Sequence, residues 1–185
     1  GCSMTAIVGY ADGITAWIGG DSAAQNGGWT RFAIRERKVW RQQDVDMVIG
    51  CCGRWRVSQL LQTFLILPEQ KGDESPIQYL VAQFVPAVQQ VLRDHNELIK
   101  NDESGTGIII AYKGVVYAMD SAFCVNAIEP QVVADGAGGD VAKGAFQAFL
   151  DTGMDIESAI LKALAIAGDF DLTVAPPYYV LKAGT

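Results

Sequence analysis

The stretch Met4-Thr5-Ala6-Ile7-Val8-Gly9-Tyr10 places a threonine at the head of an apolar strand, and Asp21 follows in Ile18-Gly19-Gly20-Asp21-Ser22-Ala23. A threonine hydroxyl is a weak nucleophile unless a base lies within hydrogen-bond reach, and the residue's own α-amine can be that base. Such an amine has an ordinary pKa of about 7.7–8.0. Removal of Met4 would therefore create both the nucleophile and its base at Thr5.

Residues 1–4 precede that threonine, so its nitrogen is an amide in this chain and cannot accept the hydroxyl proton. We interpret Gly1 to Ser3 as residues left from cloning before a natural start at Met4, with a short natural leader as the alternative. The chain is expected to be inactive while Gly1 to Met4 are attached. Residues 5–185 are expected to form a single domain.

Composition narrows the class of protein. The 185 residues suffice for one domain with a sizeable core. Hydrophobic residues make up 50% and charged residues 19%, a balance that disfavours disorder. A net charge of −7 disfavours nucleic acid as a partner. Neither a membrane span nor a signal peptide is apparent, so we expect a soluble cytoplasmic protein without membrane contact.

The cysteines and the single histidine offer little chemistry. Cys2, Cys51, Cys52 and Cys124 form no paired C-x-x-C motif, so we expect reduced thiols, no metal and no cofactor. Cys51 and Cys52 lie in an apolar strand, where successive side chains face opposite sides. His95 lies in a helical pattern and is interpreted as a solvated residue, although a Ser-His-Asp or Cys-His enzyme would have to use it.

Hydrophobic periodicity predicts strand pairs that alternate with helix pairs. The predicted elements are strands at 5–10, 14–20, 37–41 and 45–52, helices at 55–67 and 76 to about 99, strands at 107–113, 115–119 and ending at 134, helices at 141–152 and 155–168, and a strand at 178–183. A glycine-rich loop is predicted at 25–29, a helix cap at Ser75, a helix end at Pro68 and a bend at Pro86. This order predicts an α+β domain in which two antiparallel sheets lie face to face between helix pairs.

Six short landmarks carry a resemblance to a known family. They are Thr5-Ala6-Ile7-Val8, Gly20-Asp21-Ser22-Ala23, Arg37-Lys38-Val39, Gly50-Cys51-Cys52-Gly53, Asp135-Gly136-Ala137-Gly138-Gly139 and Ala167-Gly168-Asp169. Their order and spacing resemble those of proteasome β-type subunits, and most closely HslV-like peptidases, in the N-terminal nucleophile (Ntn) hydrolase superfamily. Each landmark alone is a weak signal, whereas six in the family's order are a strong one.

The resemblance implies a four-layer αββα sandwich with an amide-hydrolysing centre. Thr5 would be the nucleophile, with Asp21 and Lys38 beside it and Asp169 as a buttress. An ammonium held by an aspartate near the threonine oxygen eases loss of the hydroxyl proton. The backbone N–H of Cys52 would stabilise the oxyanion.

The resemblance also implies where a substrate would bind. Gly50 would form the floor of a roomy specificity pocket, and two extended edges would pair with the substrate backbone. The residues implied for these edges are Ser22, Ala24 and Gln25 on one side and Gly136, Ala137 and Gly138 on the other. Ala137 stands where the family usually has a serine, and the residues after Asp169 depart from the family's pattern, which weakens the expected proton network.

The leading functional hypothesis is a threonine-type endopeptidase subunit of a closed homo-oligomeric ring. Its substrates would be peptides or unfolded proteins, and family members often work with an ATP-dependent unfoldase. The four tryptophans are candidates for subunit contacts or for core packing: Trp17, Trp29, Trp40 and Trp55. The alternatives are a catalytically weak or inactive ring or scaffold protein, and a small-molecule amidase of the same superfamily.

Overall fold

Antiparallel strands and helices alternate in the computed structural model, which describes residues 4–26, 30–98 and 103–184. The strands in these ranges are β1 (Ile7–Ala11), β2 (Ala16–Gly20), β3 (Ala23–Asn26), β4 (Thr30–Ala33), β5 (Val39–Gln42), β6 (Met47–Gly53), β7 (Thr106–Tyr112), β8 (Val115–Met119), β9 (Val125–Ala127), β10 (Val132–Asp135) and β11 (Tyr179–Ala183). The helices are α1 (Trp55–Phe64), α2 (Pro76–Tyr79), a π-helical segment (Leu80–Phe84), α3 (Val85–Asp94), α4 (Gly139–Asp151) and α5 (Ile156–Phe170).

The strands form two main sheets. One has the order β10-β1-β2-β11 and the other the order β5-β6-β7-β8-β9, while β3 and β4 form a separate hairpin. Each of these pairs is antiparallel. The predicted α+β class is therefore confirmed.

Three apolar cores separate four layers. Met47, Ile49 and Cys51 of β6 face α1 and α3, whereas Val48 and Cys52 face the other sheet. A third core lies between the four-stranded sheet and the helices α4 and α5. The layers thus follow the order helix, sheet, sheet, helix, which confirms the predicted αββα sandwich. Cys51 and Cys52 face opposite sides as predicted, and neither is in a disulfide.

The helix after residue 75 is less regular than predicted. It begins with the predicted cap, since the Ser75 hydroxyl accepts the Gln78 N–H while Pro76 starts the helix. Ahead of Pro86 the helix widens into a π-helical segment, in which the Val85 N–H reaches the Leu80 carbonyl. Because proline has no N–H to give to the preceding turn, a wider turn accommodates the interruption without ending the helix. The helix ends at Asp94, before the predicted end.

Two other predicted boundaries differ from the structure. Helix α1 ends at Phe64, well before Pro68, and the Leu65 N–H closes its last turn on the Leu61 carbonyl. Residues predicted as a glycine-rich loop belong partly to the β3–β4 hairpin, in which Gln25 lies opposite Arg31. Residues 27–29 of the predicted loop lie outside the described residues.

His95 and the tryptophans have local roles. His95 is half-buried rather than solvated: its Nδ1 lies 2.8 Å from the Val91 carbonyl oxygen and its ring stacks on Phe64 with centroids 4.5 Å apart. Trp17 and Trp40 are partly buried against two of the cores. Trp29 lies outside the described residues. No helix in the described part of the chain is long and apolar enough to cross a membrane.

Candidate active site

Strand β1 directs Thr5 into the space between the two sheets. Ile7 packs in the core between the sheets, whereas Ala6 and Val8 pack against α4 and α5. Because side chains alternate along an extended chain, Thr5 lies on the same side as Ile7. It is buried, with 4% of its surface exposed. The threonine therefore lies at the rim of the sheet interface and not on the protein's outer surface.

Asp21 directly follows β2 and is completely buried. Its Oδ1 accepts the Ala6 N–H at 3.2 Å and the Lys38 ammonium at 2.8 Å. Its Oδ2 accepts the N–H groups of Ala23 at 3.0 Å and Ala175 at 3.1 Å. Four donors from four parts of the chain thus hold the carboxylate in one orientation, as a buried charge requires.

Lys38 directly precedes β5 and joins this carboxylate to the threonine. Its Nζ donates to Asp21 Oδ1 at 2.8 Å, to Thr5 Oγ1 at 3.0 Å and to the Met4 carbonyl at 3.0 Å. Burial lowers the pKa of Lys38, while the nearby Asp21 charge opposes that shift. An ammonium has three N–H donors, and all three have acceptors here.

The Thr5 hydroxyl has a donor and an acceptor in this arrangement. Its oxygen accepts from the Lys38 ammonium at 3.0 Å, and its proton is directed to the Met4 carbonyl. A positive donor on this oxygen would stabilise the negative charge that develops there during nucleophilic attack. The missing element is a base, because the nitrogen of Thr5 is part of the peptide bond to Met4.

A glycine turn after β10 packs against the backbone carbonyl of Thr5. Gly136 has φ +93°, and a Cβ at this position would lie 2.0 Å from the Thr5 carbonyl oxygen. The Gly138 N–H donates to that same oxygen at 3.3 Å. The Asp135 carboxylate accepts the Gly136 N–H at 2.7 Å. The turn therefore needs glycine at 136 to approach Thr5 this closely; Ala137 lies between the two glycines and is half-buried.

A pocket of about 320 Å³ opens beside Thr5. Its walls include Ala24 and Gln25 of β3, Phe32 of β4, Ile34 and Trp55. The charged residues in the described part of the wall are Lys38 and Arg54. Lys38 is paired with Asp21, and Arg54 donates to both the carboxylate and the carbonyl of Glu97. The pocket is thus mainly apolar, and its cations are already neutralised.

Two residues that were expected to bind substrate, Ser22 and Gly50, do not line this pocket. Ser22 donates its hydroxyl to the Pro177 carbonyl at 2.6 Å and does not line the pocket. Gly50 lies between the sheets and also does not line it, because a Cβ there would meet methyl groups of Ile18, Ile7 and Val39 at 3.1–3.3 Å. This position corrects the predicted pocket floor: strand register turns even-numbered residues of β6 toward the other sheet, and Cys51 lines the pocket instead.

Strand register also bears on the predicted oxyanion donor. The Cys51 N–H donates to the Lys38 carbonyl, so it points toward β5. N–H groups alternate sides along a strand, so that of Cys52 points toward Gly107 of β7. By the same alternation the N–H of Gly53 points toward the side of β5. Gly53 lies past the point where β5 pairs with β6, and it lines the pocket together with Thr5.

Asp169 lies apart from Thr5, Asp21 and Lys38. It is exposed in the last turn of α5, and within the described ranges no hydrogen bond or ion pair joins it to Thr5. Helix α5 turns Ala163, Leu164 and Ala167 toward the sheet, which leaves Asp169 on the solvent side. Its role as a buttress of Thr5 stays a prediction.

Sequence reasoning missed Tyr179, the first residue of β11. Its hydroxyl accepts the Lys38 N–H and donates to the Asp21 carbonyl at 3.3 Å. An aromatic residue in a terminal strand is typical of core packing, so no local pattern indicated these contacts. In the described residues, no group of three His, Cys, Asp or Glu side chains is placed to hold a metal ion.

No protein-family model and no curated protein sequence matches the chain. Several solved structures do. The bacterial proteasome homologue BPH of Thiobacillus denitrificans, in complex with epoxomicin, has a TM-score of 0.77 at 18% identity, covering 97% of this chain and 98% of that chain. Eukaryotic HslV from Trypanosoma brucei has a TM-score of 0.69 at 24% identity, covering 97% and 99%. Anbu (ancestral β-subunit) from Yersinia bercovieri has a TM-score of 0.69 at 16% identity, covering 97% and 82%.

These structural likenesses extend over almost the whole chain and show a common fold, while the sequence identities are low. They agree with the four layers of the fold. The chain therefore has the fold of the proteasome-type subunits of the Ntn-hydrolase superfamily.

Proposed function

We propose that this chain is a threonine-type peptidase subunit whose nucleophile is Thr5 once the Met4–Thr5 bond has been cut. The observation that carries the proposal is the buried chain of contacts from Asp21 through Lys38 to the Thr5 hydroxyl, at 2.8 and 3.0 Å. An ion pair between Asp21 and Lys38 that only stabilised the fold would not require a threonine hydroxyl within hydrogen-bond distance of the ammonium. The same three residues are those that the family resemblance implies.

The proposed reaction begins with removal of residues 1–4. The freed α-amine of Thr5 takes the hydroxyl proton as Oγ1 attacks the carbonyl carbon of a peptide bond. The Lys38 ammonium stabilises the negative charge on Oγ1, and Asp21 keeps that ammonium in place. The C–N bond of the substrate then breaks as the α-amine of Thr5 gives its proton to the leaving amine, and the acyl group stays on Oγ1 as an ester. Water hydrolyses the ester and restores the hydroxyl.

Two neighbouring N–H groups are candidates for the oxyanion contact. Cys52 is the position that the family resemblance implies, and Gly53 is the one whose N–H is directed to the pocket side by strand alternation. We assign the contact to Gly53, because the N–H of Cys52 is directed to Gly107 within the sheet. An oxyanion donor must be free to meet the developing charge.

The pocket indicates the substrate class. Apolar walls formed by Phe32, Ile34 and Trp55 favour a large apolar side chain next to the cleaved bond. Both lining cations are already paired, so an acidic side chain gains no new ion pair there. Strand β3, with Ala24 and Gln25, and the turn at Gly136 to Gly138 would hold the extended peptide backbone.

Assembly belongs to the same proposal. Phe170 and Leu172 are 80% and 81% exposed at the end of α5. Large apolar side chains so exposed are typical of surfaces that another protein chain covers. We propose that a second copy covers them in a homo-oligomeric ring. An ATP-dependent unfoldase as partner and a cytoplasmic location stay predictions.

A catalytically inactive scaffold is the second candidate. It is favoured by the Met4 carbonyl, which accepts both the Thr5 hydroxyl and one Lys38 N–H and so occupies the reacting oxygen. The absence of a hydroxyl at Ala137 favours it as well. If the chain is such a scaffold, the residues before Thr5 are never removed, and the contacts among Thr5, Asp21 and Lys38 only stabilise the fold.

The test compares three proteins that begin at residue 5: the native sequence, Thr5→Ser and Thr5→Ala. We expect the native protein to hydrolyse fluorogenic peptides and to gain the mass of one peptide epoxyketone, which requires both a hydroxyl and a free amine. Thr5→Ser should retain part of both activities, and Thr5→Ala should lose hydrolysis by at least about a thousandfold. If the folded native protein shows neither hydrolysis nor labelling, the scaffold interpretation is correct.

A further inference from the structure

Tyr179 joins the two sheets at the candidate site. Asp21 follows β2 of the four-stranded sheet, whereas Lys38 precedes β5 of the five-stranded sheet. The Tyr179 hydroxyl accepts the backbone N–H of Lys38 and donates to the backbone carbonyl of Asp21 at 3.3 Å. One side-chain oxygen thus contacts the backbone of both charged residues.

The surroundings hold this hydroxyl in one place. Tyr179 lies opposite Gly20 in the sheet, and a Cβ on Gly20 would lie 3.7 Å from the hydroxyl oxygen. The Arg37 guanidinium lies over the ring, 4.7 Å from its centroid. Burial raises the pKa of Tyr179 to about 12, so the hydroxyl keeps its proton at neutral pH and remains a donor to the Asp21 carbonyl.

We propose that Tyr179 is a positioning residue, whose hydroxyl holds Asp21 and Lys38 in the alignment that presents the ammonium to Thr5. This inference rests on the proposed peptidase function. Tyr179 is not assigned a proton-transfer step, since its described contacts are with backbone atoms and not with the Thr5 hydroxyl. Misalignment of a reacting group by about 1 Å can lower the rate about a hundredfold. The lost hydrogen bonds should therefore lower the rate more than they weaken substrate binding.

The test uses Tyr179→Phe with Tyr79→Phe as its matched control. Tyr79 is also buried and donates its hydroxyl to a backbone carbonyl, that of Pro68, at 2.7 Å in the helix layer. In proteins that begin at Thr5, we expect Tyr179→Phe to lower kcat by about ten- to a hundredfold while KM stays within about twofold. Tyr79→Phe should leave both constants within about twofold despite a comparable loss of thermal stability. Equal kcat values for the two variants would overturn the proposal.

A second measurement does not depend on hydrolysis. In the 185-residue chain labelled with ¹³C-lysine, the Lys38 side-chain resonance is titrated by NMR, with Lys38→Arg to assign it. Burial lowers the pKa of Lys38 in the intact site and the nearby Asp21 charge opposes that shift, so a changed position relative to Asp21 should shift that pKa in Tyr179→Phe but not in Tyr79→Phe. An unchanged Lys38 titration contradicts the positioning role, even if the wild-type protein proves inactive and the peptidase proposal fails on its own test.

A third variant separates the hydroxyl from the ring. 4-Aminophenylalanine at position 179 keeps the ring and restores a donor for the Asp21 carbonyl. We expect it to recover part of the kcat lost in Tyr179→Phe, because the amino group is a poor acceptor for the Lys38 N–H. Should Tyr179→Phe not fold, a folded 4-aminophenylalanine protein with a severalfold lower kcat and an unchanged KM supports the positioning role. A kcat equal to that of wild type contradicts it.

Discussion

The space between the two sheets is filled by small apolar side chains at one end and by Thr5, Asp21 and Lys38 at the other. At the apolar end Ala11 and Ala183 flank Ala16 in adjacent strands, and their small size lets the sheets approach closely. The polar end holds a fully buried carboxylate and a nearly buried ammonium. The fold tolerates these charges because no buried polar side-chain atom in the described residues lacks a hydrogen-bond partner.

The side chains at the apolar end stabilise the fold, whereas those at the polar end also form the candidate site. Apolar side chains stabilise the interface through the area that they bury, and one can be shortened without disturbing the others' chemistry. At the polar end each group depends on its partners, so loss of one leaves another buried and unsatisfied. Substitutions at the two ends should therefore differ in kind as well as in size.

The largest effect is expected for Lys38→Met. The change leaves Asp21 buried without its ion-pair partner, which should lower the free energy of unfolding by about 3–5 kcal/mol. It also removes the donor on Thr5 Oγ1, so activity should fall at least about a hundredfold. Urea unfolding and peptide hydrolysis measure the two losses.

Lys143→Met, at an exposed position of α4, is the control and should change neither quantity. Asp21→Asn added to Lys38→Met should restore part of the stability and none of the activity. Full activity in Lys38→Met would contradict the role given to the polar end.

Gly136→Ala should have the next largest effect. The new Cβ would lie 2.0 Å from the Thr5 carbonyl oxygen at a φ of +93°, so the turn must move away from Thr5. We expect a loss of about 2–4 kcal/mol in stability and a fall of about tenfold or more in kcat. Gly153→Ala is the matched control, because Gly153 has φ +77° with no atom within 4 Å of a new Cβ. It should lower stability by about 1 kcal/mol and leave kcat unchanged.

At the apolar end Val116→Ala should affect stability alone. Val116 is fully buried between the sheets. Loss of its two methyl groups should lower the free energy of unfolding by about 1–3 kcal/mol, while kcat and KM stay within about twofold. A kcat loss as large as that of Gly136→Ala would show that the two ends are not independent.

The smallest effect concerns alkaline stability. Burial raises the pKa values of Tyr79 and Tyr179 from 10.0 to about 12. Between these values the unfolded chain loses phenol protons that the folded chain keeps, so the free energy of unfolding falls as pH rises from about 10 to about 12. Tyr79→Phe should show a shallower fall, measured by urea unfolding at several pH values. An unchanged slope would mean that the Tyr79 hydroxyl is not shielded from water.

Much of the polar end could be predicted from the sequence. Thr5, Asp21 and Lys38 lie beside strands whose order matches a known pattern, and the structure brings the three together. The α+β layers were predictable because hydrophobic periodicity marks each strand and helix. Gly136 was predictable as part of a glycine turn, since such turns permit the close approach that its positive φ reflects.

Other features depend on distant contacts that no local pattern carries. The family resemblance implies Gly50 as the pocket floor, but strand register decides which side of β6 each residue faces. Tyr179 contacts Lys38 across 141 positions of sequence. Gln25 and Asn26 belong to the predicted glycine-rich loop, yet both lie in β3, because pairing with β4 outweighs the low strand propensity of such residues.

The three occupied donors of Lys38 have a consequence for ligand affinity. While Met4 is attached, a carbonyl or an anion can reach the ammonium only by displacing the Met4 carbonyl, Thr5 or Asp21 from it. Binding at this point is then an exchange of one acceptor for another, and its net gain is the small difference between two hydrogen bonds. Loss of Met4 converts that exchange into an addition, so the same ligand should bind more tightly to the shortened chain.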